Sequence, residues 1–117
     1  MAYQKTVVWS CPSGDFATGR EAVTAKNTLH IKPGWNTTLE GFENAITALV
    51  NAYASAPTRT TWDNTAKILT VYLTFADEAS AATYYAEFKK VIDTYPMADN
   101  SGWTFVSDTG ETVSSDA

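Results

Sequence analysis

The stretch TRTTWDNTAKILTVYLTFADEASAATYYAEFKKVIDTYP (residues 58–96) carries a change of hydrophobic period that decides the architecture. Up to Phe75 the apolar residues alternate, as a pleated strand requires; from Ala81 onward they recur every three or four, as a helix requires. β-Branched and aromatic residues flank Asp63-Asn64-Thr65, whose short polar side chains favour a turn by bonding to nearby backbone. Residues 58–75 are therefore predicted as a hairpin. In its second strand Leu69, Val71, Leu73 and Phe75 should face helices, and Ile68, Thr70, Tyr72 and Thr74 the opposite side. Asp77 is the expected N-cap of the following helix, with Glu78 at its positive end. Ala81, Tyr84, Tyr85, Phe88, Val91, Ile92 and Tyr95 form its buried stripe, and Pro96 ends it.

Working outward, TTLEGFENAITALVNAYASAP (37–57) is a second predicted helix. Thr37 and Glu40 have capping-box spacing, the stripe runs through Leu39, Phe42, Ile46, Leu49, Val50 and Tyr53, and Pro57 stops it. Beyond residue 96, WTFV (103–106) reads as a short closing strand. SDTGETVSSDA has little to bury, so the chain divides into a single α+β domain (1–107) and a disordered acidic tail (108–117). Before residue 37, YQKTVVW (3–9) reads as a strand and TLHIK (28–32) as a shorter one. REAVTAK (20–26) has room for one or two helical turns.

The order strand, helix, hairpin, helix, strand over 28–107 resembles the ferredoxin-like split β-α-β-β-α-β plait, in which two helices cover one face of an antiparallel sheet. The resemblance is topological and carries no activity with it. With TLHIK as the first plait strand, YQKTVVW is an extra N-terminal strand at a sheet edge. With YQKTVVW first, residues 11–35 form a long inserted loop.

The 117 residues are 44% apolar and 13% aromatic, enough for one domain with a real core, and the start at Met1 reads as a complete product. No apolar run is long enough for a membrane span, and no basic segment followed by an apolar one opens the chain as a signal peptide would. The expected location is cytoplasmic or virion-associated. One Cys and one His exclude an internal disulfide and argue against a protein zinc site. Of the net charge of −5, Asp108, Glu111 and Asp116 supply three with no base among them, which leaves −2 on the rest. That balance argues against a nucleic-acid partner. The bias toward Thr, Ala, Ser and Asn resembles that of small phage-virion proteins.

Candidate chemistry is sparse. Gly14 and Gly19 have the spacing of the phosphate-loop glycines, yet Arg20-Glu21 stands where a lysine and a hydroxyl are needed. Cys11 would need an activating neighbour such as Arg20 or His30; without one it reads as a small core residue. His30 alternates with Leu29 and Ile31 and so should face away from them; no spacing pairs it with Asp15 or Asp63 as a general base. Capping and the helix dipole account for Glu40 with Glu43 and for Asp77 with Glu78. Nothing resembles an EF-hand loop, and no catalytic, cofactor or metal residue is assigned.

KILTVYLTFADEASAATYYAEF (67–88) is similar to the third strand and second helix of an RNA-recognition domain, but keeps only Tyr72 and Phe75 of the aromatic octamer that would run from Ile68 to Phe75. The same stretch resembles the small dimeric α/β-barrel proteins, a class including monooxygenases and stress-response proteins. Two plaits pair there through open sheet faces, sometimes around a ligand pocket. No recognisable catalytic set is carried over.

The leading expectation is a non-enzymatic interaction or assembly protein that self-associates or binds a protein partner. Its open sheet face would present Ile68 and Tyr72, with Trp9, Trp35 and Arg59 as further interface candidates, and YQKTVVW would add to a partner's sheet. Trp62 changes face with the length of the turn. The alternative is a small-ligand enzyme or binder of the dimeric α/β-barrel kind, with His30, Arg59 or Tyr72 near a pocket. The third is an acidic inhibitor that mimics nucleic acid.

Overall fold

A computed structural model of the chain describes residues 2–30, 38–95 and 102–113. Among them the fold is mixed α+β, a four-stranded antiparallel sheet with three α-helices. Strands β1 (Ala2–Ser10), β2 (Arg59–Asp63), β3 (Ile68–Phe75) and β4 (Thr104–Val113) lie in the order β2-β3-β1-β4. Helices α1 (Gly19–Asn27) and α2 (Leu39–Tyr53) separate β1 from β2, and α3 (Glu78–Thr94) separates β3 from β4.

Residues directly opposite in an antiparallel ladder point to the same side, so the register sorts the two faces. Tyr3, Lys5, Val7 and Trp9 pair with Phe75, Leu73, Val71 and Leu69 on the helix side. Gln4, Thr6, Val8 and Ser10 pair with Thr74, Tyr72, Thr70 and Ile68 on the other. The core has two parts. One buries Cys11, Ala22, Leu29, Leu69 and Trp103; the other buries Leu73, Phe75, Ala81 and Tyr84. The four residues expected inward on β3 are thus the ones that pack beneath the helices.

The hairpin turn is built as its residues predict. The Asp63 carboxylate accepts from the N–H groups of Thr65 and Ala66 at 2.9 and 3.0 Å, which holds its pKa below the ordinary carboxylate value. Lys67 closes the turn in the left-handed region at φ 61°. Trp62 pairs with Leu69 and so packs on the core side, against Phe16 and Trp103. Asp77 caps α3 through the Ser80 N–H at 2.8 Å. The cap of α2 is Thr38, one residue after the expected Thr37, and accepts from the Gly41 N–H at 3.0 Å. Gly19, at the start of α1, sits where a Cβ would lie 2.6 Å from the Thr60 carbonyl carbon, so this glycine serves close helix–strand approach.

Three expectations give way. TLHIK is not a strand: Thr28–His30 forms a 3-10 turn that continues α1, and residues 31–32 lie outside the described part. Leu29 and His30 are consequently both buried instead of facing opposite ways. YQKTVVW is not an extra edge strand. It pairs with β3 on one side and β4 on the other, which puts it inside the sheet. Finally, the segment expected as a mobile tail is strand through Val113. Its backbone satisfies the free side of β1 from Ala2↔Val113 to Ser10↔Thr104, with a bulge opposite Val8/Trp9. Backbone pairing does not depend on having apolar side chains to bury. A Lys5–Asp108 ion pair at 2.8 Å fastens the middle of the ladder.

Truncation after Ser107 tests this directly. Because it strips β1 of more than half its β4 partners, we expect the midpoint of thermal unfolding to fall by at least about 8 °C, the equivalent of one or two kcal/mol in a domain of this size. An unpaired tail would leave the midpoint unchanged.

Candidate functional site

The sheet and the helices do not close completely between the two parts of the core. Val71 borders both parts and, with Val7, Trp9 and Leu73, forms the floor of a cavity of about 300 Å³. Val23 and Lys26 of α1, Ile46 and Val50 of α2, and Tyr84, Tyr85 and Phe88 of α3 form its roof. The gap has a packing cause. α1 covers the Leu69 end of the sheet while α2 and α3 cover the Phe75 end, so small Val side chains are left between them. Val23, Asn27, Ile46, Val50, Thr58 and Thr60 also border a more polar outer groove with Arg20 and Glu43, which marks the way in between α1 and α2.

Five titratable groups interrupt this apolar lining. Lys26 lies on the inward stripe of α1 and places its ammonium over the Trp9 ring, 3.9 Å from the centroid. Burial lowers its pKa from 10.5 to about 8. The ion pairs among the described residues join Lys5 to Asp108 and Lys90 to Glu87; Lys26 is in neither. His30 stacks on Phe42 at 4.4 Å and lies 2.8 Å through Nδ1 from the Tyr95 carbonyl oxygen. A carbonyl can only accept, so Nδ1 carries the proton and Nε2 is the acceptor nitrogen of the neutral ring. Burial lowers the His30 pKa; the bond to Tyr95 opposes this and the Lys26 charge adds to it. Tyr85 has a buried hydroxyl with no hydrogen-bond partner among the described residues. Burial first, then the Asp108 charge, raises its pKa, so the phenol stays protonated and is a donor in search of an acceptor. Tyr84 is pushed up to about 12 by burial. Asp108 is taken up by Lys5.

The predicted site residues separate onto two sides of the sheet. Trp9 faces the cavity beneath Lys26, which corrects its expected role as an outward contact. Arg59, Ile68 and Tyr72 do share the open face, where the Arg59 guanidinium lies 4.0 Å from the Tyr72 ring centroid. Arg59 and Tyr72 are therefore on the far side of the sheet from the cavity, whereas His30 lines it. Trp35 lies outside the described residues. Cys11 is 4% exposed within the core. Among the described residues no group of three or more His, Cys, Asp or Glu could hold a metal ion, and no helix is long and apolar enough to cross a membrane.

Lys26, Tyr85 and Asp108 are not among the site residues expected from the sequence, which places Tyr85 in a packing stripe and Asp108 in the acidic tail. One signal was present: Ala22, Val23, Lys26 and Leu29 follow helical spacing, so a lysine occupies an apolar-stripe position.

The chain is similar in fold to a structural-genomics protein called YJCS, with a TM-score of 0.50 and 6% sequence identity, over 97% of this chain and 100% of that one. At that identity the likeness is one of fold alone. No protein-family model matches the chain, and no curated protein matches it in sequence.

The lowered Lys26 pKa has a consequence for stability. The folded state holds this proton more weakly than the unfolded chain, so a charged Lys26 disfavours folding at every pH below about 8. Lys26→Met should stabilise the fold by about 1–3 kcal/mol at pH 7. The gain should shrink as pH rises from about 8 toward 10.5, where the unfolded lysine also becomes neutral. Urea unfolding of both proteins at pH 7 and pH 10 measures the difference.

Proposed function

We propose that this protein is a small-ligand binding domain whose site is the cavity between the helices and the sheet. The observation that carries the reading is the 300 Å³ apolar space with Lys26, His30 and Tyr85 converging on it and an outer groove leading to it. The architecture behind it is read as the split β-α-β-β-α-β plait, with β1 as its first strand and α1 inserted before α2. The sheet order β2-β3-β1-β4 supports that reading. Binding without catalysis is the simpler function of this site. Nδ1 of His30 is occupied by a main-chain carbonyl, and Cys11 belongs to a different part of the core.

A second reading is kept for the opposite face. Val8, Ile68 and Tyr72 lie there among threonines and serines, and this surface could join two copies of the chain. The interior place of β1 removes strand addition by YQKTVVW from that proposal; any such addition would have to use β2 or β4.

Titration with the neutral aromatic naphthalene-2-carboxamide, followed by amide NMR and calorimetry, tests the first reading. We expect saturable binding, with shifts concentrated at Val23, Ile46, Val50 and Phe88. Ile46→Trp, which fills the space, should weaken binding at least tenfold, while Tyr72→Lys should leave it unchanged. Absence of binding at millimolar probe, or shifts centred on Ile68 and Tyr72, would overturn the reading. Loss of a dimer on Tyr72→Lys would establish the second face as an interface.

A further inference from the structure

We propose that the cavity takes a small amphipathic monoanion, a carboxylate on an aromatic or aliphatic body, with the Lys26 ammonium as its counter-ion and the Tyr85 hydroxyl as a second donor. The inference rests on the reading of the cavity as a binding site and adds the chemistry of its occupant.

The charge arrangement points to this class. Lys26 presents a cation to an apolar space, with the Trp9 ring on one side and no ion-pair partner among the described residues. The acid that lines the same cavity, Asp108, is already neutralised by Lys5 at 2.8 Å. Glu43, at the outer groove, accepts a hydrogen bond from Asn27 at 3.1 Å. A ligand carboxylate would therefore meet an uncompensated positive charge instead of competing with an internal salt bridge. Tyr85 adds a buried hydroxyl that lacks an acceptor, and a carboxylate oxygen is an acceptor with no proton of its own to place. With one uncompensated cation lining the cavity among the described residues, one ligand charge is matched; a second would be left buried and unpaired.

The remaining lining sets the body of the ligand. Val7, Val23, Ile46, Val50, Leu73 and Phe88 offer only dispersion and apolar contact. A space of about 300 Å³ admits on the order of ten to fifteen non-hydrogen atoms. His30 contributes an acceptor at Nε2, suited to a hydroxyl on the ligand body and not to its anionic end.

The titratable groups that share the space are His30 after α1, Tyr84 and Tyr85 from α3, and the Lys5–Asp108 pair on the sheet, with Glu43 and Arg20 at the mouth. Lys26, which they surround, is a cation whose proton burial makes easier to lose, with a pKa lowered to about 8. Anion binding should thus weaken as pH rises past about 8, because the apo lysine is then neutral and must be recharged on binding.

The matched pair naphthalene-2-carboxylate and naphthalene-2-carboxamide separates charge from shape. By calorimetry at pH 7, the carboxylate should bind at least tenfold more tightly than the amide. That preference should disappear in Lys26→Met and weaken several-fold in Tyr85→Phe. In the unmodified protein, carboxylate affinity should fall about tenfold between pH 7 and pH 9 while amide affinity stays level. Equal affinities for the two probes, a preference that survives Lys26→Met, or a level pH profile for the carboxylate would each overturn the anion inference and leave the cavity reading standing. Failure of both probes to bind would overturn both. The pH series needs no substituted protein, so a folding defect in a variant does not block the test.

Discussion

The ladder that holds Ala2–Ser10 between β3 and β4 is the constraint on which the rest of the molecule depends. A strand paired on both sides has no free backbone groups, so its side chains alone decide what each face of the sheet becomes. The alternation of β1 sends Tyr3, Lys5, Val7 and Trp9 to the helices and Gln4, Thr6, Val8 and Ser10 to the other side. Slipping it by one residue would exchange those sets and put Lys5 and Trp9 on the open face. The first and the last strand are both committed to this ladder, because β4 closes the sheet only after α3 has been laid down. Lys5 then reaches Asp108 across the pair, and Trp9 becomes both the floor of the cavity and the platform beneath Lys26.

The cavity is costly in the terms that stabilise the remainder of the fold. An ammonium, a neutral imidazole and a phenol with no hydrogen-bond partner among the described residues stand among valines and aromatics, and the space between them forgoes the dispersion contacts of a packed core. Leu69 and Phe75, at the two ends of the same strand, are fully buried among apolar partners and show what that strand does when only packing matters. Local departures of this sort, inside an otherwise consistent fold, are where function is sought. The open face is different in kind. Its neighbours are mainly threonine and serine, and its largest side chain, Tyr72, already stacks with Arg59. That face is stable as a solvated surface.

The glycine pair that resembled a phosphate loop shows how one local pattern can serve another end. Gly14 leaves room for Phe16 and Trp62, and Gly19 lets α1 start against the Thr60 main chain. Both allow the segment after β1 to press close to the hairpin. Cys11 is drawn into the same packing, and its N–H donates to the Lys67 carbonyl at 3.0 Å. Cys11, Gly14 and Gly19 are thus buried against the hairpin, while Pro12, Ser13, Asp15, Ala17 and Thr18 between them are exposed.

The sequence by itself determined the elements whose signal is local. The hairpin at 58–75, the Asp77 cap, the stripes of α2 and α3 and the inward set on β3 all follow from period and turn chemistry within a few residues. Only the tertiary structure decided what depends on distant partners. Asp108–Val113 has no hydrophobic pattern and becomes a strand because β1 offers it a row of backbone groups. Thr28–His30 has a strand-like composition and turns helically because α1 precedes it and Phe42 receives the His30 ring. The cavity was least legible of all. Trp9, the neighbouring Lys26 and His30, Tyr85 and Asp108 come from four separate parts of the chain, and a space between layers is set by where helices cross a sheet, which no single segment encodes.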